Sequence, residues 1–286
     1  MLPDPGARST ERAAIRERML PLLRVPTMDF LLECIGFPPT TDLAALAERI
    51  RREGETVALR GPGGEHLRVP LAGGLEVRLD REPGAAHDSI WPYYEVPRRL
   101  RVAVESLQGV PDSPYDVLLR GRANPPLPED PWREANGDEY PFATYLCDAR
   151  RLPRGLARGH VLAVSVSGFA LDVTYVGPNE GVRNPYLGGE PGGATLLPLA
   201  GSDQPGGCME LSLVVRGIRH LENPLTGEPI TLVETDAPGR PLDLFLSRWQ
   251  LAASGLEAPR AGWRVEGAFL FTGRASGGLP ARPARA

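Results

Sequence analysis

The sequence predicts an α+β chain: N-terminal helices with short strands, then a mainly antiparallel β region ending in a small OB-like (oligonucleotide/oligosaccharide-binding-like) barrel or meander. Three observations lead there. Apolar residues recur at helical spacing before Gly54, strand-like alternation strengthens after Tyr140, and Gly- or Pro-centred turns cut the last third into short runs.

Taken in order, the first helical pattern runs from Thr10 to Arg24, with Ile15, Met19, Leu22 and Leu23 on one side until Pro26 stops it. Thr27 or Asp29 then caps a short helix carrying Phe30, Leu31, Cys34 and Ile35. It ends at Gly36, with Pro38 and Pro39 beyond. A third helix starts with Thr41 as cap, buries Leu43, Leu46, Ala47 and Ile50, and closes at Gly54. Glu48, Arg49, Arg51 and Arg52 form its solvated face.

Strands are expected at Thr56–Arg60, Leu67–Leu71 and Leu75–Arg81, parted by glycine-rich turns. Arg98–Leu107 admits strand or helix. Residues 109–141 hold seven prolines and read as an irregular connection around a strand at Val117–Arg122. Phe142–Cys147 and His160–Val166 follow. A turn at Ser167–Gly168 then precedes the alternating run Phe169, Leu171, Val173, Tyr175.

Residues 177–208 contain nine glycines and five prolines, too few side chains to fix themselves, and read as a loop or linker. Beyond them lie strands at Leu211–Leu221, Ile230–Thr235, Leu242–Leu246 and Trp263–Thr272. Asn223–Gly227 is a turn, and Ala237–Arg240 a type II turn in which Gly239 takes the positive φ. The expected division is an α+β domain at 1–107, a β-rich segment at 108–176, the linker at 177–208, a C-terminal β domain at 209–275 and a disordered tail at 276–286.

The inventory excludes much chemistry. All 32 basic residues are arginine, as the sequence contains no lysine, so lysine Schiff bases and P-loop phosphate binding are ruled out. Net charge is −4, which draws the chain toward neither nucleic acid nor anionic lipid. Cys34, Cys147 and Cys208 are odd in number and far apart, which is no disulfide framework. With no signal-like start and no run of ~18 apolar residues, a cytoplasmic location without membrane contact is expected.

No catalytic, metal or cofactor site is expected. His66, His87, His160 and His220 lie in separate segments without ligand spacing. Cys147, His160 and Asp172 share a β-rich stretch in an order a nucleophilic triad allows, but a cysteine at a strand end is ordinarily a small buried hydrophobe. Ser165-Val166-Ser167-Gly168 lacks the first glycine of a hydrolase elbow.

Asp80, Glu82, Asp88 and Glu95 cluster near Trp91, Tyr93 and Tyr94, which leaves open a hydrolase acting on sugars. Single-stranded nucleic-acid binding by the C-terminal strands is disfavoured. From Met209 to Ala275 there are seven arginines against eight carboxylates, where a phosphate groove needs a positive excess. The best binding candidate is the segment with Trp91, Tyr93, Tyr94, Arg98 and Arg99, whose aromatics, prolines and arginine pair have the composition of an interface hot spot.

Phe30–Phe37, together with Asn223–Glu228 and Val265–Gly273, resembles the start and end of a family of uncharacterised bacterial proteins best known from clostridia. That family carries no assigned activity, so the resemblance implies a bacterial source and transfers no site residues. The reading is a non-enzymatic protein-binding or assembly module of a bacterial cytoplasm, with a protein partner or self-association. The alternatives are the hydrolase and the nucleic-acid binder.

Overall fold

The computed structural model describes residues 29–57, 63–85, 87–110, 113–126, 138–153, 155–177, 193–199 and 206–278. The helix expected at Thr10–Arg24, most of the 177–208 linker and the last eight residues of the tail lie outside them.

Two helices open the described chain. Helix α1 spans Asp29–Glu33 and stops at Gly36, whose φ of +85° needs glycine. A Cβ there would also come within 3.0 Å of Asn223, because the turn at 223–228 docks on the helix end. Asn223 Nδ2 donates to the Ile35 carbonyl at 2.8 Å and Thr226 Oγ1 to that of Gly36 at 2.7 Å. Helix α2 spans Leu43–Glu53. Its cap is Asp42, not Thr41: the Asp42 carboxylate accepts from Ala44 and Ala45, while the Thr41 hydroxyl turns back to Pro38. Leu46, Ala47 and Ile50 are buried as the spacing required, but Leu43 is exposed.

A four-stranded antiparallel sheet follows, in order β1 (Glu55–Thr56), β2 (Glu65–Pro70), β3 (Leu75–Arg81) and β4 (Ser89–Tyr94). Directly opposed residues share a face. One face therefore carries Leu67, Val69, Leu75, Val77, Leu79, Ile90 and Tyr94, all buried. The other carries His66, Arg68, Glu76, Arg78, Asp80, Trp91 and Tyr93.

The remaining strands are β5 (Leu100–Val110), β6 (Ser113–Ala123), β7 (Tyr140–Leu146), β8 (Val161–Val176), β9 (Thr195–Pro198), β10 (Cys208–Glu222), β11 (Pro229–Asp236), β12 (Leu242–Leu246) and β13 (Arg264–Gly278). A short helix, α3 (Arg248–Ala253), precedes β13. All nine strands belong to one mixed sheet.

Pairing closes that sheet twice. β8, β5, β6, β7 and β13 form one ring of hydrogen-bonded strands; β8, β12, β11, β10 and β13 form a second. The rings share the long antiparallel β8–β13 pair, and β9 adds to the outside of β10. In the second ring Phe169 stacks on Phe245, its partner across the β8–β12 pair, with centroids 5.1 Å apart.

This corrects the expected α+β class. Strands dominate, and the C-terminal strands do not close a barrel of their own, because the ring is completed by β8 through its parallel pairing with β12. The turn expected at Ser167–Gly168 does not form either; β8 runs straight through it. Gly168 is there for packing, since a Cβ would lie 2.7 Å from Leu244 and 3.0 Å from Phe271. Arg98–Leu107 resolves as strand β5, and β13 runs on to Gly278 inside the expected tail. The expected turns at 223–228 and 237–240 are present. Gly239 has φ +73°, but the local bond runs from Arg240 N to the Pro238 carbonyl, a three-residue turn inside the expected four.

Candidate functional site

The densest chemistry lies on the polar face of the four-stranded sheet, pressed against β6, the turn after β7 and the end of β13. His66 Nδ1 meets the Asp80 carboxylate, and Arg78 Nη2 lies 3.1 Å from His66 Nε2 and 3.4 Å from Asp80 Oδ2. Tyr115 stacks on His66 at 5.3 Å, and the Arg150 guanidinium lies 4.5 Å from the Tyr115 ring centroid. Arg274 lies 4.1 Å over the Tyr93 ring and donates to Glu76. Asp116 accepts from Ser113 Oγ at 2.6 Å. Arg78 Nε and Nη1, Asp148 Oδ1 and Arg274 Nε are buried without a hydrogen-bond partner among the described residues.

Burial sets the electrostatics. It pushes His66 down to about 3, helped by Arg78, Arg274, Arg151 and Arg150, so the ring is neutral at pH 7. Its Nδ1 then carries the proton donated to Asp80, and Nε2 accepts from Arg78. Burial raises the Asp116 and Asp148 carboxyls above the ordinary range, against the opposing pull of Arg78 on the first and Arg274 on the second. It also lifts the Cys147 thiol to about 12. A His–Asp pair can serve as a general base, but here the accepting nitrogen is already engaged. His66, Arg78 and Asp80 are each no more than 6 % exposed. The arrangement binds one layer to another.

Four of the sequence-predicted binding residues pack against other parts of the fold, and Arg98 is exposed. Trp91 is half-buried, its Nε1 donating to Ser89 at 2.7 Å and its ring 5.7 Å from Tyr145. Tyr93 is buried under Arg274, and burial raises its hydroxyl to about 12. Tyr94 is buried edge-on to Phe245, its hydroxyl accepting from Arg219 at 3.1 Å. Arg98 pairs with Glu234 at 3.0 Å, and Arg99 holds the Val96 carbonyl and Glu95. The hot-spot composition thus marks an internal interface, where residues 94–99 fasten the small sheet to the second ring.

Of the four carboxylates, Asp80, Asp88 and Glu95 lie apart in separate ion pairs. Asp80 points into the polar seam, Asp88 is gripped by Arg51 at 2.6 Å, and Glu95 faces Arg99 on the surface. Nor do Cys147, His160 and Asp172 meet as a triad. The charges facing Cys147 are Arg78, Asp116, Arg274 and Asp148, whereas His160 is bonded to Ala157 in an exposed loop. Among the described residues no group of three potential ligands could hold a metal, and no helix is long and apolar enough to cross a membrane. Arg216, Arg219, Arg248 and Arg260 of the C-terminal strands and their connections each face a carboxylate.

Sequence reasoning missed His66, Arg78, Asp116, Asp148 and Arg274. The signal available was the alternation Glu76, Arg78, Asp80 along β3, charges of opposite sign spaced to neutralise one another on one face. No known protein family, curated protein or solved structure matches the chain.

Proposed function

We propose that the chain is a non-enzymatic binding or assembly module whose partner is a protein, acting in a bacterial cytoplasm. One observation carries the reading: the groups able to make or break bonds are spent on one another. The thiols of Cys147 and Cys208 are lifted by burial to about 12, His66 is held neutral between Asp80 and Arg78, and Asp80, Asp88 and Glu95 sit in separate ion pairs. Groups so locked fix a fold and cannot turn over a substrate without breaking it. Three free buried cysteines suit a reducing compartment.

The test pairs affinity purification of the intact chain from its host with a turnover screen on esters, peptides, glycosides and phosphate esters. A stoichiometric protein partner, or the chain itself, is expected together with no turnover. Turnover by a chain that stays monomeric and captures nothing contradicts the reading.

A further inference from the structure

We infer that the outer edge of β5, residues 105–109, is a self-pairing surface that joins two copies of this chain as an antiparallel, two-fold-related strand pair. The inference rests on the binding reading above and names its partner class.

β5 is held by β8 only through Ala103, and Val104 is tied to His160 and Gly159. Beyond that point the β5–β6 hairpin leaves the ring. Among the described residues the outer edge of 105–110 pairs with nothing, although its inner edge pairs with β6 from Ser106 to Gly109 in regular register and again at Val110. Such an edge presents a row of N–H and C=O groups that templates another strand, and proteins blunt the edges they keep free.

Several other edges are blunted. β1 is two residues long with a glutamate, β9 is four residues ending at Pro198, and β4 contains Pro92. The hairpin β10–β11 leaves its ring in the same way, and both hairpins have a bulge at the exit, at Glu105 in β5 and at Arg216 in β10, but the outer edge of β10 carries Arg216, Arg219, His220 and Glu222. The β5 edge, Glu105-Ser106-Leu107-Gln108-Gly109, has one charge and no proline.

Its order is also self-complementary. With Leu107 on the two-fold axis, Leu107 meets Leu107 of the second copy, Ser106 meets Gln108 and Glu105 meets Gly109. Leu107 is half-buried beside the core and opposite Leu119, so a second leucine there extends an existing apolar row. A shift of one residue sets Leu107 against Gln108 and loses the match. Pairing over so few residues buries less than the ~1,200–2,000 Å² of a stable interface, so the dimer is weak and concentration-dependent.

Sedimentation velocity of the full chain over a wide concentration series tests this. Gly109 has open space where a Cβ would go and no positive φ, so Gly109→Glu leaves the fold intact and sets the introduced carboxylate against Glu105 twice per dimer. The expected results are a reversible wild-type dimer, a dissociation constant raised about tenfold or more in Gly109→Glu, and recovery in the double variant Glu105→Lys/Gly109→Glu. A wild type that stays monomeric at every concentration overturns the inference, while the binding reading is then decided by the partner experiment above. A dimer indifferent to Gly109→Glu also overturns it and leaves self-association to another surface.

Discussion

The two faces of the four-stranded sheet are built from the same strands and are both buried, yet they are held by opposite means. On one, Leu67, Val69, Val77, Leu79 and Ile90 pack with Leu46, Ala47 and Ile50 of α2 in the common core. On the other, His66, Arg78 and Asp80 are sealed against Tyr115, Asp116 and Arg274. The apolar face gains by leaving water. The polar face loses hydration and recovers it only while every charge keeps its partner. Its tolerance of change should therefore be lower, and its pH dependence greater.

The largest effect is expected from breaking the polar face at its centre. Arg78→Ala leaves Asp80 and Asp116 buried without their guanidinium and should cost about 3–5 kcal/mol in a urea melt. Truncation on the apolar face, Leu79→Ala, should cost about 2–5 kcal/mol through lost transfer energy and a cavity, and unlike Arg78→Ala its cost should not change with pH. A loss for Arg78→Ala below that for an exposed arginine such as Arg52 would erase the distinction between the faces.

A smaller effect tests the frame that carries both faces. Gly239→Val must accept a positive φ and push into Asn124, whose Nδ2 would lie 2.7 Å from the new Cβ. Its expected cost is about 1–3 kcal/mol, and an unchanged thermal melt would remove the turn assignment.

The smallest effect is a slope. The folded value of Asp116 is raised, so the folded state keeps that proton longer than the unfolded chain does. Stability from this group is full below the ordinary carboxylate value of ~3.9 and is lost as pH climbs through the raised one. Asp116→Asn removes the loss, so the variant should gain on the parent as pH rises through that window. A constant difference across the window would show that the carboxyl is not titrating in the sealed seam.

These contrasts also explain what the sequence could and could not reveal. The bounds of β3 and β12, the 223–228 turn and the positive φ of Gly239 were legible because each depends on neighbours in sequence. The fold class was not. The Ser167-Gly168 dipeptide reads as a turn until Leu244 and Phe271, far later in the chain, are seen to need the space. The alternating polar residues on β3 do not reveal in sequence that they are covered, because the residues covering them, Tyr115, Asp116, Arg150 and Arg274, come from distant parts of the chain. Trp91, Tyr93 and Tyr94 were legible as a cluster of aromatics, but not as packing on Tyr145, Arg274 and Phe245. Composition reports that a surface is sticky and leaves its partner unnamed.

The most direct test is whether the polar face is sealed. It is read from the His66 ring resonances, assigned by a His66→Gln variant, followed against pH. With the ring neutral and held between Asp80 and Arg78, those resonances should stay flat from about pH 8 down to about pH 4. An inflection near the ordinary histidine value of ~6.5 would show that the ring exchanges protons with solvent, and the polar face would then be a site open to chemistry.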